Sequence, residues 1–340
     1  MTCSLSLINM GRNPYLPLLF LALAYIALPA PFGDASAQDW PTRPVTMVVP
    51  YAAGGTTDVI GRIFSARLSD ILGQQVIVEN IGGAGGMTGA SRVAKAAPDG
   101  HQFILGNVGT HAQNQTLYKN PLYHAAADFA PVILLVDQPM VLIARKDFPA
   151  DDLKQFIAYT KANQDKLQYG SAGAGAPTHL SCALLNAAIG IEAAHVPYRG
   201  GGPAMQDLIA SRIDYFCYNT PIAIPQIKAK TVKGIAMLSR NRSQALPEIA
   251  TAHEQGLKDF EAENWLAFFL PKGTPTAIIR KLHAASVAAL DTPAVRLRLK
   301  ELGADPVAAD RQSPEYLQKF VEAQIIRWAA AIKAAGVSPN

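Results

Sequence analysis

No glycine-lysine pair occurs anywhere among the 340 residues, which removes a phosphate-cradling Walker loop. A nucleophile elbow is missing as well, because Ser171 sits in Tyr169-Gly170-Ser171-Ala172-Gly173, with Tyr169 where the first glycine of Gly-x-Ser-x-Gly belongs. The stretch 82–89 comes nearest to a dinucleotide fingerprint, yet Thr88 stands where its third glycine should be. Cysteine is scarce, three in all, and with no histidine partner at metal spacing a zinc site is not expected. Charged residues make up 16%, and the net charge of +4 is dispersed along the chain, so there is no basic stripe for nucleic acid. After Leu28 no stretch is long and apolar enough to span a membrane.

What is present begins with a leader. Arg12 precedes an apolar run over 15–28, then come Pro29, Pro31 and Gly33, and then Ala35-Ser36-Ala37 before Gln38. That order is expected of a secretory signal peptide cleaved after Ala37, and the run is too short for a permanent anchor. The mature chain is then periplasmic, and loss of Arg12 and Asp34 leaves the balance of charge unchanged. Cys3 goes with the leader. Cys182 and Cys217 remain and can pair in an oxidising compartment, although two small buried hydrophobes are the plainer account.

Residues 45–49 are a run dominated by β-branched residues, and after a glycine-rich turn Ile60, Ile63, Phe64, Leu68, Ile71 and Leu72 fall at helical spacing. This predicts strand, loop, helix, and the unit repeats. Gly73 ends the helix, 75–78 is the next strand, 88–97 a helix, and 103–105, 132–136 and 140–144 are strands, with Pro139 between the last two. A second series follows: Asp151-Asp152 cap a helix through Tyr159, and then come strand 167–169, helix 178–188, strand 195–197, helix 203–210 and strands 213–218 and 232–238. Strands without a polar face that alternate with helices predict a mostly parallel α/β sheet covered on both sides. After strand 265–270, Pro275 opens a run of helices with no strand expected beyond them, so these must return to cover the first sheet. The expected division is 1–37 signal peptide, 38–143 plus 263–340 first lobe, and 144–262 second lobe, with crossings near Ala144 and Trp265. Two crossings make a cleft able to open and close.

Besides 82–89, three glycine-rich turns join a strand's carboxyl end to a helix start, where unpaired backbone N–H groups can meet an anion. The first is 50–58, where Gly54 and Gly55 let the backbone approach a ligand; Thr56 or Thr57 can equally be a cap, and Asp58 suits the helix dipole. The second is 170–179, with Ser171 and Thr178 as hydroxyl donors to a carboxylate, Thr178 being also a candidate N-cap. His179 has no visible acid partner or nucleophile and reads as a hydrogen-bonded helix-start histidine rather than a catalytic base. The third is 196–203, where Tyr198 can wall a cleft and Arg199 can clamp a carboxylate or simply be solvated. Tyr51 and Trp265 are further candidates for the cleft wall, core packing being the rival for Trp265. Asp214 can order a neighbouring loop.

Four segments occur in order: Pro50-Tyr51-Ala52-Ala53-Gly54-Gly55-Thr56-Thr57-Asp58, Gly83-Ala84-Gly85-Gly86-Met87-Thr88-Gly89, Gly170-Ser171-Ala172-Gly173-Ala174-Gly175-Ala176-Pro177-Thr178-His179 and Val196-Pro197-Tyr198-Arg199-Gly200-Gly201-Gly202-Pro203. With them the chain, from about Trp40 to its end, resembles the Bug family, the periplasmic binding components of tripartite tricarboxylate transporters. The resemblance implies a type II periplasmic-binding fold, two doubly wound lobes joined by a two-strand hinge. It implies loops after Tyr51, Gly85 and Ser171 around a ligand carboxylate, held by backbone N–H groups, hydroxyls and waters, without an arginine clamp. On this reading the ligand-binding residues are Tyr51, Ala53, Gly54, Thr56, Thr57, Gly85, Gly86, Met87, Thr88, Thr110, Ser171, Gly173, Gly175, Thr178, His179, Tyr198, Gly201 and Asp214. The expected protein is a monomeric solute receptor that passes a small di-, tri- or aromatic carboxylate to the membrane components of such a transporter. It needs no cofactor and no metal, and catalyses nothing. A receptor that presents the acid to a membrane signalling kinase would share the same sequence features.

Overall fold

The computed structural model describes residues 40–258, 260–334 and 336; the expected leader, with its cleavage after Ala37, lies outside them. The chain opens with β1 (Val45–Val49), α1 (Thr56–Leu72), β2 (Val76–Asn80), α2 (Met87–Ala94) and β3 (Gln102–Asn107). Gly73 stops α1 in the left-handed conformation, φ 69°, its N–H returning to the Ser69 carbonyl. A short helical segment at Gly109–Gln113 runs into α3 (Asn114–Leu117), and the 17-residue β4 (Phe129–Arg145) follows. Two strands were expected there, broken at Pro139. Instead Pro139 stays in the ladder opposite Glu263, and β4 runs unbroken from one part of the sheet into the other.

Then come α4 (Leu153–Asn163), β5 (Gln168–Ser171), α5 (Pro177–Ile189), β6 (Ala194–Pro197), α6 (Gly201–Ile209) and β7 (Tyr215–Asn219). Asp152 caps α4 as expected, accepting the Gln155 N–H at 2.7 Å. A further helix, α7 (Thr220–Lys228), lies between β7 and β8 (Val232–Met237) and was not read from the sequence. Its two prolines disguise it: Pro221 occupies the first turn, and Pro225 lies inside. The chain closes with β9 (Glu263–Pro271), α8 (Thr276–Leu290), α9 (Pro293–Glu301), β10 (Asp305–Pro306) and α10 (Pro314–Ala334). The two-residue β10, paired with β4 at Asp137, corrects the expectation that no strand follows the first C-terminal helices.

All strands belong to one sheet in the order β2-β1-β3-β9-β4-β7-β5-β6, with β8 and β10 also on β4. The outer units are parallel, whereas β3–β9, β9–β4, β4–β7, β4–β8 and β4–β10 are antiparallel, so the sheet is mixed and the expectation of a mostly parallel one is corrected. The antiparallel centre is what lets β4 serve both parts of the sheet. On one side of the first part, Met47, Phe103, Leu105 and Phe268 meet Ile60, Phe64 and Leu68 of α1 and Leu282 of α8. On the opposite side Val48, Ile104 and Phe269 meet Met87 and Val93 of α2 and Leu317, Val321 and Trp328 of α10. The second part is likewise covered, by α4 and α5 on one face and by α6 and α7 on the other. Strands buried on both faces have no polar alternation, which is why these runs read as uniformly apolar.

Cys182 on α5 and Cys217 in β7 are fully buried and joined by a disulfide, with Cα atoms 5.3 Å apart. This corrects the plainer expectation of two free thiols. The pairing is set by α5 packing directly on β7, a contact between residues 35 positions apart in the chain.

Candidate ligand-binding site

Each glycine-rich turn lies where a strand of the sheet hands over to a helix, and the turns from the two parts of the sheet meet. The Ala52 N–H donates to the Arg199 carbonyl at 3.4 Å, and Tyr118 Oη donates to the Ala174 carbonyl at 2.9 Å. Between them is a cavity of about 20 Å³ lined by Tyr51, Gly55, Thr56, Thr57, Asn107, Ala172, Pro177, Thr178, Gly201, Tyr218, Asn219 and Asn264. No lysine, arginine, aspartate or glutamate is among these residues.

What the lining offers an anion is main chain. Four helices start here: α1 after Gly55, α5 after Ala176, α6 after Gly200 and α7 after Asn219, none with a side-chain cap. A helix leaves its first N–H groups without intrahelical partners and carries a partial positive charge of about half a unit at that end. The four helices present that end to one small volume from both parts of the sheet, the arrangement that suits a carboxylate.

The first turn is held from outside the cavity. Gly54 N–H donates to Asp58 Oδ2 at 2.9 Å, Arg62 Nε to the same oxygen at 3.0 Å, and Asn80 Nδ2 to Asp58 Oδ1 at 3.0 Å. Burial pushes the Asp58 carboxyl up, but the hydrogen bonds from Arg62, Gly54 and Asn80 outweigh it and hold the group below its ordinary range. Tyr51 opens the same turn with its hydroxyl on the Gly85 carbonyl at 3.2 Å and the Asn107 amide at 3.1 Å, and burial pushes its pKa far up, so the phenol stays neutral. Thr110 lies under Asn107, exchanging hydrogen bonds with it at 3.0 Å, so it positions a lining residue without lining the cavity itself.

The 170–179 turn spends much of its polar capacity on itself. Thr178 Oγ1 accepts from Ala172 N–H at 2.8 Å, Ser171 Oγ accepts from Gly173 N–H at 3.1 Å, and His179 Nδ1 accepts from Gly175 N–H at 3.3 Å. Behind it Ser171 Oγ also meets His195 Nε2 at 2.6 Å, and the rings of His195 and His179 stack with centroids 4.0 Å apart. Burial lowers the pKa of His179 to about 4, and burial together with the neighbouring His179 lowers that of His195 to about 3. Both are neutral at neutral pH.

Of the expected ligand-binding residues, Tyr51, Thr56, Thr57, Thr178 and Gly201 line the cavity. Thr56 and Thr178 sit inside the first helical turns, so neither is an N-cap. Gly85, Gly86, Gly173, Gly175, Ser171 and His179 shape the surrounding turns instead. Ala53, Gly54 and Thr88 are exposed, and a side chain at Gly54 would meet nothing within 4 Å. Met87 belongs to the core, as does Trp265, which is packed on Phe320. Tyr198 donates its hydroxyl to Asp207 at 2.7 Å, and Arg199 is exposed. Asp214 is taken up by Arg145 Nε at 2.9 Å and the Gln168 N–H at 2.8 Å, away from the cavity. Asn107, Ala172, Pro177, Tyr218, Asn219 and Asn264 were missed. Asn107 and Asn219 end strands just before helical turns, the position where open α/β sheets place ligand contacts, and that signal was available in the sequence. Asn264 comes early in an antiparallel strand and carried no such signal.

Residues 60–337 match the model of the tripartite tricarboxylate transporter family receptor. The chain belongs to this family. Among solved structures, the periplasmic binding protein BugD superposes with a TM-score of 0.86 at 41% identity, over 88% of this chain and 100% of that one. MatC of Rhodopseudomonas palustris, solved with bound malate, gives 0.84 at 40% identity over 86% and 100%. Rpa4515 of R. palustris, solved with adipate, gives 0.85 at 36% identity over 88% and 100%. The fold is therefore that of periplasmic binding proteins, and the receptors it resembles bind solutes rather than transform them. Among the described residues no helix is long and apolar enough to cross a membrane.

Proposed function

We propose that this protein is a periplasmic solute receptor that closes around one small carboxylate and hands it to the membrane components of a tripartite tricarboxylate transporter, without catalysing any reaction. The single observation that carries this reading is the convergence of four uncapped helix N-termini on a cavity with no charged side chain. Malate and adipate in the related receptors agree with an acid as the ligand.

Residues 38–143 plus 263–340 act as one lobe and 144–262 as the other, with β4 and the segment leading into β9 as the crossings. A cavity of about 20 Å³ holds little more than one water-sized group, so a ligand enters only when the turns at Ala52–Arg199 and Tyr118–Ala174 part. The segment 1–37 directs export and is removed after Ala37, and the mature receptor works as a monomer. The test is thermal unfolding of the mature chain with mono-, di-, tri- and aromatic carboxylates. An acid present at about 100 times its Kd adds roughly 2.7 kcal/mol and raises Tm. Indifference to the whole panel would sink the proposal.

A further inference from the structure

Building on the carboxylate-receptor reading, we infer that Asn219 and Asn264 select an acid that carries a hydroxyl group over the same acid with an amino group or with hydrogen in its place. Both side chains are buried, at 4% and 2% exposure, and both line the cavity. They flank the crossing strand: Asn219, the last residue of β7, pairs with Met140 of β4, and Asn264 of β9 pairs with Gln138. They therefore stand on strands beside the crossing strand, not on the glycine-rich turns.

Their hydrogen bonds decide what they can recognise. Asn264 Nδ2 donates to Gln138 Oε1 at 2.7 Å, and Asn264 Oδ1 is buried without a partner, as is Gln138 Nε2. Asn219 Nδ2 is likewise buried without a partner. Besides the hydroxyls of Thr56 and Tyr218, which are also without partners and can each donate or accept, the site thus offers one atom that only accepts and one that only donates, inside a volume suited to a single oxygen-sized group. A hydroxyl donates to the first and accepts from the second. An ammonium only donates, so it leaves Asn219 Nδ2 unsatisfied, and it also faces four positive helix ends with no carboxylate among the lining residues to offset its charge. A second carboxylate only accepts, and would set its oxygen against Asn264 Oδ1. A methylene satisfies neither.

A buried polar group left unpaired weakens binding about fivefold to 150-fold, so the hydroxy acid should bind at least about fivefold tighter than either analogue. Calorimetry on the full mature chain compares lactate with alanine and propionate, malate with aspartate and succinate, and citrate with tricarballylate; the series that binds tightest decides. In that series the hydroxy acid leads in the wild type, and Asn264→Ala and Asn219→Ala each shrink its lead below threefold. Asn264→Asp moves the preference toward the amino acid, because it supplies the missing negative charge. Unfolding midpoints without ligand show which variants are folded, and either alanine variant suffices if the other is not. Equal affinity for the hydroxy acid and its unsubstituted analogue in the wild type overturns the inference, as does a lead that survives in both folded alanine variants. Binding without discrimination sinks this inference alone, whereas no binding of any acid sinks the receptor reading with it.

Discussion

Adding one methyl group at Gly85 should weaken ligand binding by a factor set by the closed arrangement of the turns. Gly85 has φ +60°, and a Cβ there would lie 2.6 Å from Gly175 C, 2.7 Å from the Ala174 oxygen and 2.9 Å from Gly175 Cα. Ordinary contacts are about 3.5–4.0 Å, and every atom in the way is backbone. Two costs must be separated. The left-handed φ costs an alanine about 1–2 kcal/mol whether or not the turns touch, so it lowers folding stability and leaves affinity alone. The overlap with Gly175 exists only when the turns meet, and relieving an overpacked contact of this kind costs about 1–3 kcal/mol. Drawn from the closure that binding requires, that is about 5–150-fold in Kd. Gly73→Ala is the control, since Gly73 has φ +69° and open space within 4 Å of the added Cβ. Calorimetric titration with whichever acid binds the wild type should show a weakened Gly85→Ala and an unaffected Gly73→Ala, with both variants less stable. Wild-type affinity in Gly85→Ala would refute closure through this contact.

The disulfide closes a loop between Cys182 and Cys217 of 35 residues, which by chain entropy contributes about 3–4 kcal/mol. Replacing both cysteines by serine should lower the free energy of unfolding by that order in denaturant titration, while reductant leaves the double variant unchanged; a reductant-insensitive wild type would count against the bond. Stability should also fall in acid through the buried histidines. Burial lowers His179 to about 4 and, with His179 beside it, His195 to about 3, so the unfolded chain takes up these protons first. Their contribution is complete above about pH 6.5 and is lost as pH drops from there toward the folded values. Glu263 acts with opposite sign, because burial and then the nearby Glu261 and Asp137 raise it to about 7, so its contribution is lost as pH rises through that value. Denaturation midpoints of wild type and His195→Gln at pH 7 and 5 isolate the histidine part. The variant should lose less stability between the two, and parallel losses would disprove the assignment.

Much of the architecture was legible because it follows from periodicity and local chemistry. The β-branched run 45–49, the 3.6-residue spacing from Ile60 to Leu68, the stop at Gly73 and the Asp152 cap each depend on residues within a few positions of one another. The failures were of a different kind. Proline is mostly confined to strand ends and edges, but Pro139 lies within an antiparallel ladder whose partner strand comes more than a hundred residues later. Pro221 and Pro225 concealed α7 for the same reason, because the packing of Ala223 and Ile224 outweighs a weak local propensity.

At the site the turns follow from local residue order: glycines let a strand pass into a helix there, and free N–H groups are found at those places. Which of them face the cavity depends on long-range packing. Gly54 N–H is drawn off to Asp58, Asp214 is claimed by Arg145, and Tyr198 by Asp207, whereas Asn107, Asn219 and Asn264 are brought inward from three strands. A residue's type fixes what bonds it can make, but which bond it makes depends on neighbours brought close by the folding of distant segments, and no short window of sequence contains them.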